Sequence, residues 1–273
     1  MTVLQAIFLG IIQGLTEFLP VSSSGHLVLF SQLFKVQEPS LIFEVVVHVG
    51  TLLAVLVAFR SEVGLLVTSF FKLLGKPKNA KQLLKDDLGC RFLSGIIIGT
   101  LPTVVVALLF KDQIERFFGS STFVGIMLIV TGLMLFLTER LGAVREGVSE
   151  PSPLDALIIG LGQAVAILPG ISRSGTTISV GVLRGLDRNS AARFSFLLAI
   201  PAILGALVFS LGDLFGGTTT LSWGTLGAGL VSSAITGYLA IRFFLTLVRR
   251  GRLVWFSYYT WFVGALVIVL HLV

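Results

Sequence analysis

Two short polar segments, residues 10–26 and 160–177, carry the residues of this chain that are best suited to chemistry. The first segment holds a carboxylate, Glu17, and the second holds a guanidinium, Arg173. Each also has a serine-glycine turn before an apolar stretch, where a serine can cap a new helix and the first backbone N–H groups can bind an anion. This combination predicts a phosphate pocket with a base and a hydroxyl nucleophile beside it.

The first turn brings several reactive types together by their spacing. Gln13 and Glu17 are four residues apart, so on a helix both point toward whatever the turn encloses. The serines at 22–24 and His26 follow directly. A histidine has an ordinary pKa of about 6.5 and can serve as acid or base, while a serine can serve as nucleophile. The spacing alone does not distinguish between the adjacent hydroxyls.

The second turn repeats the helix-start chemistry and adds Arg173, whose planar fork of donors suits phosphate oxygens. The residues predicted to bind the phosphate offer hydroxyls, backbone amides or a side-chain amide: Gln13, Ser22, Ser24, Gly25, Ser172, Ser174, Gly175 and Thr177. Two more polar side chains, Glu44 and His48, are also four residues apart on a long apolar stretch. They either face the same cavity or hydrogen-bond to each other.

The two segments are copies of one another. Residues 10–25 (GIIQGLTEFLPVSSSG) align without gaps with residues 160–175 (GLGQAVAILPGISRSG), 150 positions later. Hydroxyls, carboxylates and guanidinium groups are unfavourable at membrane depth. A sequence that places them there twice predicts one site built from two halves.

Simpler interpretations exist for each residue. Serine and glycine in membrane helices often serve close packing alone. His26 can be a structural hydrogen-bonding residue, and Glu17 and Arg173 can form a buried structural ion pair. The coincidence of all these groups within the duplicated turns favours a functional site.

Composition indicates a membrane protein. Hydrophobic residues make up 55% of the chain and charged residues only 12%, with 30 glycines. The net charge of +6 comes from basic residues in short loops between apolar stretches. That distribution orients membrane proteins and excludes nucleic acid as the expected partner.

Six apolar stretches reach the roughly 20 residues needed to cross the hydrocarbon core: 41–59, 91–110, 122–138, 192–212, 223–247 and 254–271. Near both polar turns, a short apolar segment (3–19, 155–168) is instead followed by a second short one (27–34, 178–186). Each pair predicts a re-entrant hairpin, whose turn must be surrounded by protein or by a water-filled cavity. The expected fold is an all-α integral membrane protein with six transmembrane helices and two re-entrant helical hairpins.

The repeat also predicts the topology. The whole chain, residues 1–273, forms a single membrane domain whose repeats, approximately 1–140 and 151–273, each contain a hairpin and three spans. Because three is an odd number, the second repeat is inverted relative to the first. The positive-inside rule places three basic loops in the cytoplasm, 60–91, 139–153 and 249–252. Both termini are then on the outer, periplasmic side.

The segments QGLTEFLPVSSSGH and PGISRSGTT closely resemble the two signatures of bacterial undecaprenyl-diphosphatases of the bacitracin-resistance type. The resemblance covers essentially the whole chain in length and span order. It implies an inner-membrane enzyme that hydrolyses undecaprenyl diphosphate to undecaprenyl phosphate and inorganic phosphate. Such an enzyme recycles the lipid carrier for cell-wall synthesis and confers bacitracin resistance. The resemblance further implies a homodimer and a divalent cation, Mg²⁺ or Ca²⁺.

The resemblance also implies roles for individual residues. Ser23 is the expected nucleophile, Glu17 activates it directly or through a metal, His26 is an acid or base, and Arg173 stabilises the transferred phosphoryl group. Glu17 and Gln13 are the expected metal ligands, although many members have Glu at the position of Gln13. Glutamine can still ligate through its carbonyl oxygen or orient a water molecule. Water activated by Glu17 and His26 is an equally economical attacking group.

A transporter is the alternative class of protein, because inverted repeats with broken helices are typical of secondary carriers. A lipid-phosphate flippase would also use Arg173 and two helix N-termini around a head group. A base beside a hydroxyl is not needed for binding alone, so the set of Glu17, Ser23 and His26 favours an enzyme.

Overall fold

The computed structural model describes residues 1–34, 36, 41–142, 150–216, 221–248 and 253–272. Within these ranges the regular structure is entirely helical. The α-helices are α1 (Val3–Phe18), α2 (Ser23–Leu33), α3 (Leu41–Ala58), α4 (Arg60–Gly75), α5 (Ala80–Asp86), α6 (Leu88–Leu109), α7 (Lys111–Phe118), α8 (Ser121–Leu141), α9 (Pro153–Val165), α10 (Arg173–Leu183), α11 (Arg188–Gly216), α12 (Trp223–Val248) and α13 (Val254–Leu272). A single 3₁₀ turn, Pro77–Asn79, precedes α5.

Four helices in the described ranges are long and apolar enough to cross a membrane: α6, α8, α11 over Arg188–Val208, and α12. Helices α3 and α4 pass the same test only together, with a bend of 89° between them, which makes up to five spans. Helix α13 is apolar over the shorter range Val254–Leu270. The chain is therefore a multi-pass membrane protein, as predicted, while the number of six crossings stays a prediction.

Short helix pairs occur at both places where hairpins are predicted. Helix α1 ends before Pro20, which lacks an N–H group and disfavours helical backbone at the preceding residue. Helix α9 begins with a capping box of Ser152 and Asp155 and ends ahead of Pro169. That each pair enters the membrane and returns to the side from which it started stays a prediction.

The packing of the helices is reciprocal between the two halves of the chain. Helix α1 packs against α12, and α9 packs against α6; α8 and α13 pack against each other. Gly10 and Gly160, which match in the aligned segments, lie at the two equivalent contacts. A Cβ on Gly10 would lie 2.6 Å from the carbonyl oxygen of Gly229, and one on Gly160 would lie 2.3 Å from that of Gly99. Both contacts therefore require glycine, and an inverted repeat would produce such paired contacts.

Aromatic side chains pack beneath the first turn. The ring of Phe18 meets that of Phe196 edge-on at 5.3 Å, and Phe196 lies 5.8 Å from Phe244. All three rings are fully buried. This packing joins the end of α1 to α11 and α12 and fixes the position of the neighbouring Glu17.

Candidate active site

Glu17 lies at the centre of the polar cluster, at the end of α1. Its Oε2 accepts hydrogen bonds from the hydroxyl of Ser23 at 2.6 Å and from the side-chain amide of Gln13 at 2.8 Å. Its Oε1 accepts from Nη2 of Arg173, which belongs to the other polar turn. The structure thus brings three predicted site residues, from both segments, onto the carboxylate of a fourth.

The backbone of the first turn separates the roles of its serines. Ser22 has a φ of 71°, in the left-handed region that non-glycine residues seldom adopt. Its hydroxyl accepts from the backbone N–H of Gly25 at 3.2 Å and caps α2, and its side chain is almost wholly buried. Ser23 is the next residue, and its hydroxyl points to Glu17. The hydroxyl of Ser23, and not that of Ser22, therefore bonds the carboxylate.

The second turn holds Arg173 at the first position of α10. The hydroxyl of Ser172 accepts from the N–H of Gly175 at 3.0 Å, and the hydroxyl of Ser174 donates to the carbonyl of Leu19 at 3.1 Å. These bonds cap the helix and tie it to the first turn. Nη1 of Arg173 is buried and has no hydrogen-bond partner among the described residues. A guanidinium donor without a partner is one that a bound phosphate oxygen would satisfy.

Thr131 of α8 supports the second turn. Its hydroxyl donates to the carbonyl of Gly170 at 3.1 Å and accepts from the N–H of Ser172 at 3.0 Å. The N–H of Gly170 lies 3.5 Å from the hydroxyl of Ser24, which links the two turns. A threonine within an apolar helix has no distinguishing signal in the sequence, so sequence reasoning missed it.

A cavity of about 270 Å³ opens beside this cluster. The predicted residues that line it are Glu17, Ser23, Ser24, His48, Ser172 and Arg173. Its apolar side includes Phe118, Ile167 and Ile203. A polar wall facing an apolar wall suits a charged head group attached to a hydrocarbon chain.

The structure places His26 outside this cavity lining. One ring nitrogen, Nδ1, bonds the backbone carbonyl of Ser22 at 2.8 Å, and the other, Nε2, bonds the hydroxyl of Tyr259 at 2.8 Å. The ring also stacks on Tyr259, and it is almost completely buried. Both ring nitrogens are therefore engaged within the protein, and Tyr259 is a partner that the sequence context of His26 did not reveal.

His48 is the imidazole that lines the cavity. Its Nδ1 donates to the backbone carbonyl of Glu44 at 2.7 Å, because a carbonyl only accepts, and its Nε2 lies 3.7 Å from Oε2 of Glu17. The side chain is 33% exposed, against 6% for that of Glu17. The sequence left two alternatives for Glu44 and His48, namely that they face the same cavity or that they bond each other. In the structure, His48 faces the cavity and also bonds the backbone carbonyl of Glu44.

Other predicted residues lie behind the cavity wall. Gly25 and Gly175 supply the N–H groups that the capping serines bind. The hydroxyl of Thr177 bonds Ser195 at 2.6 Å and the carbonyl of Arg173 at 2.8 Å. These residues shape the two turns and do not line the cavity.

The protein alone offers few ligands to a divalent cation. Over the described ranges, no three His, Cys, Asp or Glu side chains come together as a potential metal site. Glu17 is the carboxylate that lines the cavity, and Oε1 of Gln13 is buried without a hydrogen-bond partner among the described residues. Gln13 does not line the cavity and its Nε2 faces Glu17, so the pair fits a cation only with the amide turned to present Oε1 and with most ligands from phosphate oxygens and water, as Mg²⁺ often has.

Comparison with known proteins confirms the resemblance drawn from the two signature segments. Residues 6–266 match the family model described as Bacitracin resistance protein BacA. An undecaprenyl-diphosphatase of Carboxydothermus hydrogenoformans is 44% identical over 270 residues, covering 98% of this chain and 97% of the relative. The undecaprenyl-diphosphatase of Halothermothrix orenii is 42% identical, with 99% and 98% covered, and that of Desulfosudis oleivorans is 45% identical, with 96% of both chains covered. This chain belongs to the Bacitracin resistance protein BacA family, a family of membrane hydrolases.

Proposed function

We propose that this chain hydrolyses undecaprenyl diphosphate to undecaprenyl phosphate and inorganic phosphate. The observation that carries the proposal is the hydroxyl of Ser23 on the carboxylate of Glu17, with the guanidinium of Arg173 on the opposite oxygen. Phosphoryl transfer to a serine uses a base that takes the proton of the hydroxyl and a positive charge that stabilises the phosphoryl group. Glu17 and the guanidinium of Arg173 would supply the two. The names of the relatives supply the substrate.

The reaction then takes two steps. Glu17 accepts the proton of Ser23 while Oγ attacks the terminal phosphorus, and the bond from that phosphorus to the bridging oxygen breaks. Undecaprenyl phosphate leaves with the bridging oxygen. Water next attacks the phosphoserine, and the bond from phosphorus to Oγ breaks. Oγ takes back the proton that Glu17 accepted, the proton of the water leaves with the inorganic phosphate, and Ser23 and Glu17 return to their starting forms.

Arg173 stabilises the charge that spreads over the oxygens of the transferred group. Its Nη2 holds Glu17, and its unpartnered Nη1 is available to phosphate. The helix N-termini behind Ser24 and Ser172 face the same cavity and favour an anion there.

His48 is better placed than His26 to exchange protons with the reacting groups. It lines the cavity and faces Glu17, whereas both nitrogens of His26 are bound elsewhere. In the alternative mechanism, Glu17 and His48 activate a water molecule that attacks the terminal phosphorus directly. Both mechanisms use the same cavity and give the same products.

A divalent cation, Mg²⁺ or Ca²⁺, is part of the proposal. When bound, it would neutralise charge on the diphosphate. Glu17 and the carbonyl oxygen of Gln13 would hold it together with diphosphate oxygens. The dependence on substrate oxygens follows from the small number of protein ligands in the described part of the chain.

The finer architecture also belongs to this proposal. We propose six transmembrane helices and two re-entrant hairpins in an inverted repeat, a homodimer in the bacterial inner membrane, and termini on the periplasmic side. The reciprocal packing of α1 on α12 and of α9 on α6 supports the repeat. Recycling of the lipid carrier for cell-wall synthesis, and with it bacitracin resistance, would follow from the reaction.

Phosphate release from undecaprenyl diphosphate by the purified, detergent-extracted chain tests the activity. We expect turnover in the intact chain and its loss in Ser23→Ala. A chain that binds the lipid and moves it between the leaflets of vesicles without releasing phosphate would be a carrier, and the proposed reaction would be wrong.

A further inference from the structure

A second cavity, of about 360 Å³, lies between the end of α6, helix α7 and the end of α9. Its lining is apolar except for Gln113 and includes Val106, Phe110, Phe117 and Leu161. Its size is in the range that holds a drug-sized molecule, which is enough for a few isoprene units and too little for a long polyprenyl chain.

This apolar groove adjoins the candidate active site. Ile167, in the turn after α9, lines both cavities. Helix α7 borders both as well, because Phe117 lines the groove and the next residue, Phe118, lines the catalytic cavity. A molecule with its charged end at Arg173 could therefore extend past Ile167 into the groove.

The aligned polar segments differ at the residue that lines both cavities. Ile167 occupies the position that matches Glu17 in the aligned segments 10–25 and 160–175. The first half thus places a carboxylate at this point, and the second half places a branched hydrocarbon at the equivalent one. The two halves therefore differ in charge at the residue that lines both cavities.

We propose that the groove binds the first isoprene units of the polyprenyl tail while the diphosphate lies in the catalytic cavity. This inference rests on the proposed function. Because membrane lipid is as apolar as the groove, moving the tail from lipid gains little affinity. The groove acts mainly by orienting the head group against Ser23, so its loss should lower kcat/KM for long-chain substrates.

Two neighbouring valines of α6 provide a matched pair of variants. Val106 lines the groove, whereas Val105 is 51% exposed and does not line it. Val106→Trp fills the groove, and Val105→Trp adds the same side chain to the lipid-facing surface. The assay measures phosphate release from undecaprenyl diphosphate and from methyl diphosphate, which has no isoprene unit to enter the groove.

We expect Val106→Trp to lower kcat/KM for undecaprenyl diphosphate by about tenfold or more relative to Val105→Trp, through misplacement of the head group. Any turnover of methyl diphosphate should be similar in the two variants. Equal turnover of the long substrate by both variants would overturn the tail site, as would an equal loss on both substrates in Val106→Trp. Absence of phosphate release by the unmodified chain would instead contradict the proposed function.

Photolabelling tests the groove without relying on turnover or on a substituted groove. The probe is an undecaprenyl diphosphate analogue with a diazirine on its first isoprene unit, bound to the inactive Ser23→Ala chain. Label should appear on peptides containing 106–117 and 161–168, and excess undecaprenyl diphosphate should remove it while phospholipid should not. If phospholipid displaces the label, or if the label lies only outside these peptides, the groove holds bulk lipid and the proposal is wrong.

Discussion

The hydroxyl of Ser23 lies 2.6 Å from Oε2 of Glu17, so the last turn of one helix holds a carboxylate against the first residue of the next. The left-handed backbone of Ser22 makes this possible, because it reverses the chain within a few residues. The side chain of Ser22 is thereby used as a helix cap, and that of Ser23 is left to face the cavity.

Ser23→Ala should lower turnover by several orders of magnitude if the hydroxyl attacks phosphorus, because the covalent route is lost. Binding of the substrate should be largely kept, since Arg173 and the helix N-termini remain. If water attacks instead, the loss should be roughly 10² to 10³, the contribution of one donor to the transition state. Steady-state phosphate release and binding of a labelled substrate measure the two effects.

Ser22→Gly is the matched control for that variant. It removes a neighbouring hydroxyl, keeps a residue that accepts the φ of 71°, and costs only a few tenths of a kcal/mol at a helix cap. A brief reaction with substrate labelled in the terminal phosphate, quenched in acid, should leave label on the peptide containing Ser23. Repeated absence of label together with substantial activity in Ser23→Ala would rule out the serine nucleophile.

Glu17 and Arg173 allow a structural ion pair to be separated from a catalytic one. Glu17→Gln should abolish most turnover and also destabilise the fold by about 3 kcal/mol, because it leaves Arg173 charged, mostly enclosed and without its carboxylate partner. The double variant Glu17→Gln with Arg173→Gln should recover much of that stability, since both charges are gone. Thermal unfolding in detergent and phosphate release are measured on the same samples. If the double variant keeps near-normal turnover, the ion pair of Glu17 and Arg173 is structural and takes no part in the reaction.

The sequence predicts which segments meet because the duplicated turns repeat both the polar residues and their spacing. Glu17, Ser23 and Arg173 converge, and Ser22 and Ser172 cap the two helices, in the structure. The direction in which each side chain points could not be predicted. Two histidines with equally suggestive neighbours, His26 and His48, differ only in what packs around them.

The number of crossings illustrates a second limit. The apolar stretch 41–59 is long enough to span, but the helix that contains it ends at Ala58, and the chain turns by 89° into α4. Arg60 and Glu62 begin this second helix, and charged residues disfavour continuing into the hydrocarbon. Apolar length in the sequence therefore identifies helices more reliably than it counts membrane crossings.

The two histidines should respond differently to substitution by glutamine. His48→Gln should lower turnover by about 10² or more if the imidazole transfers protons, with stability changed by less than about 0.5 kcal/mol. His26→Gln should lower stability by about 1 to 3 kcal/mol, because Tyr259 and the carbonyl of Ser22 lose a buried partner. Turnover corrected for the folded fraction, with thermal unfolding beside it, separates the two. Full activity in His48→Gln and a stable but inactive His26→Gln would return the catalytic role to His26.

Cation binding should depend on the diphosphate, because Glu17 and Gln13 are too few to hold Mg²⁺ or Ca²⁺ alone. Calorimetric titration of Ca²⁺ should show little binding to the protein and clear binding after a non-hydrolysable methylene analogue of the substrate is added. Gln13→Ala should weaken the binding in the presence of the analogue. Gln163→Ala is the control, because Gln163 matches Gln13 in the repeat but bonds Thr103. Tight Ca²⁺ binding without the analogue, or equal weakening by both variants, would contradict this ligand set.

The inverted topology predicts opposite accessibilities for two exposed loop positions, and its test needs no substrate. In a Cys90→Ser background, Lys78→Cys lies in the 3₁₀ turn between α4 and α5, and Gly119→Cys lies between α7 and α8. Because the basic loop 60–91 is predicted to be cytoplasmic and the next loop periplasmic, a membrane-impermeant thiol reagent added to intact cells should label position 119 and not position 78. Inverted vesicles should give the reverse, and detergent should make both positions reactive. A single span, α6, is predicted to separate positions 78 and 119. Labelling of both positions from the same side of a sealed membrane would therefore contradict the predicted topology of the first repeat.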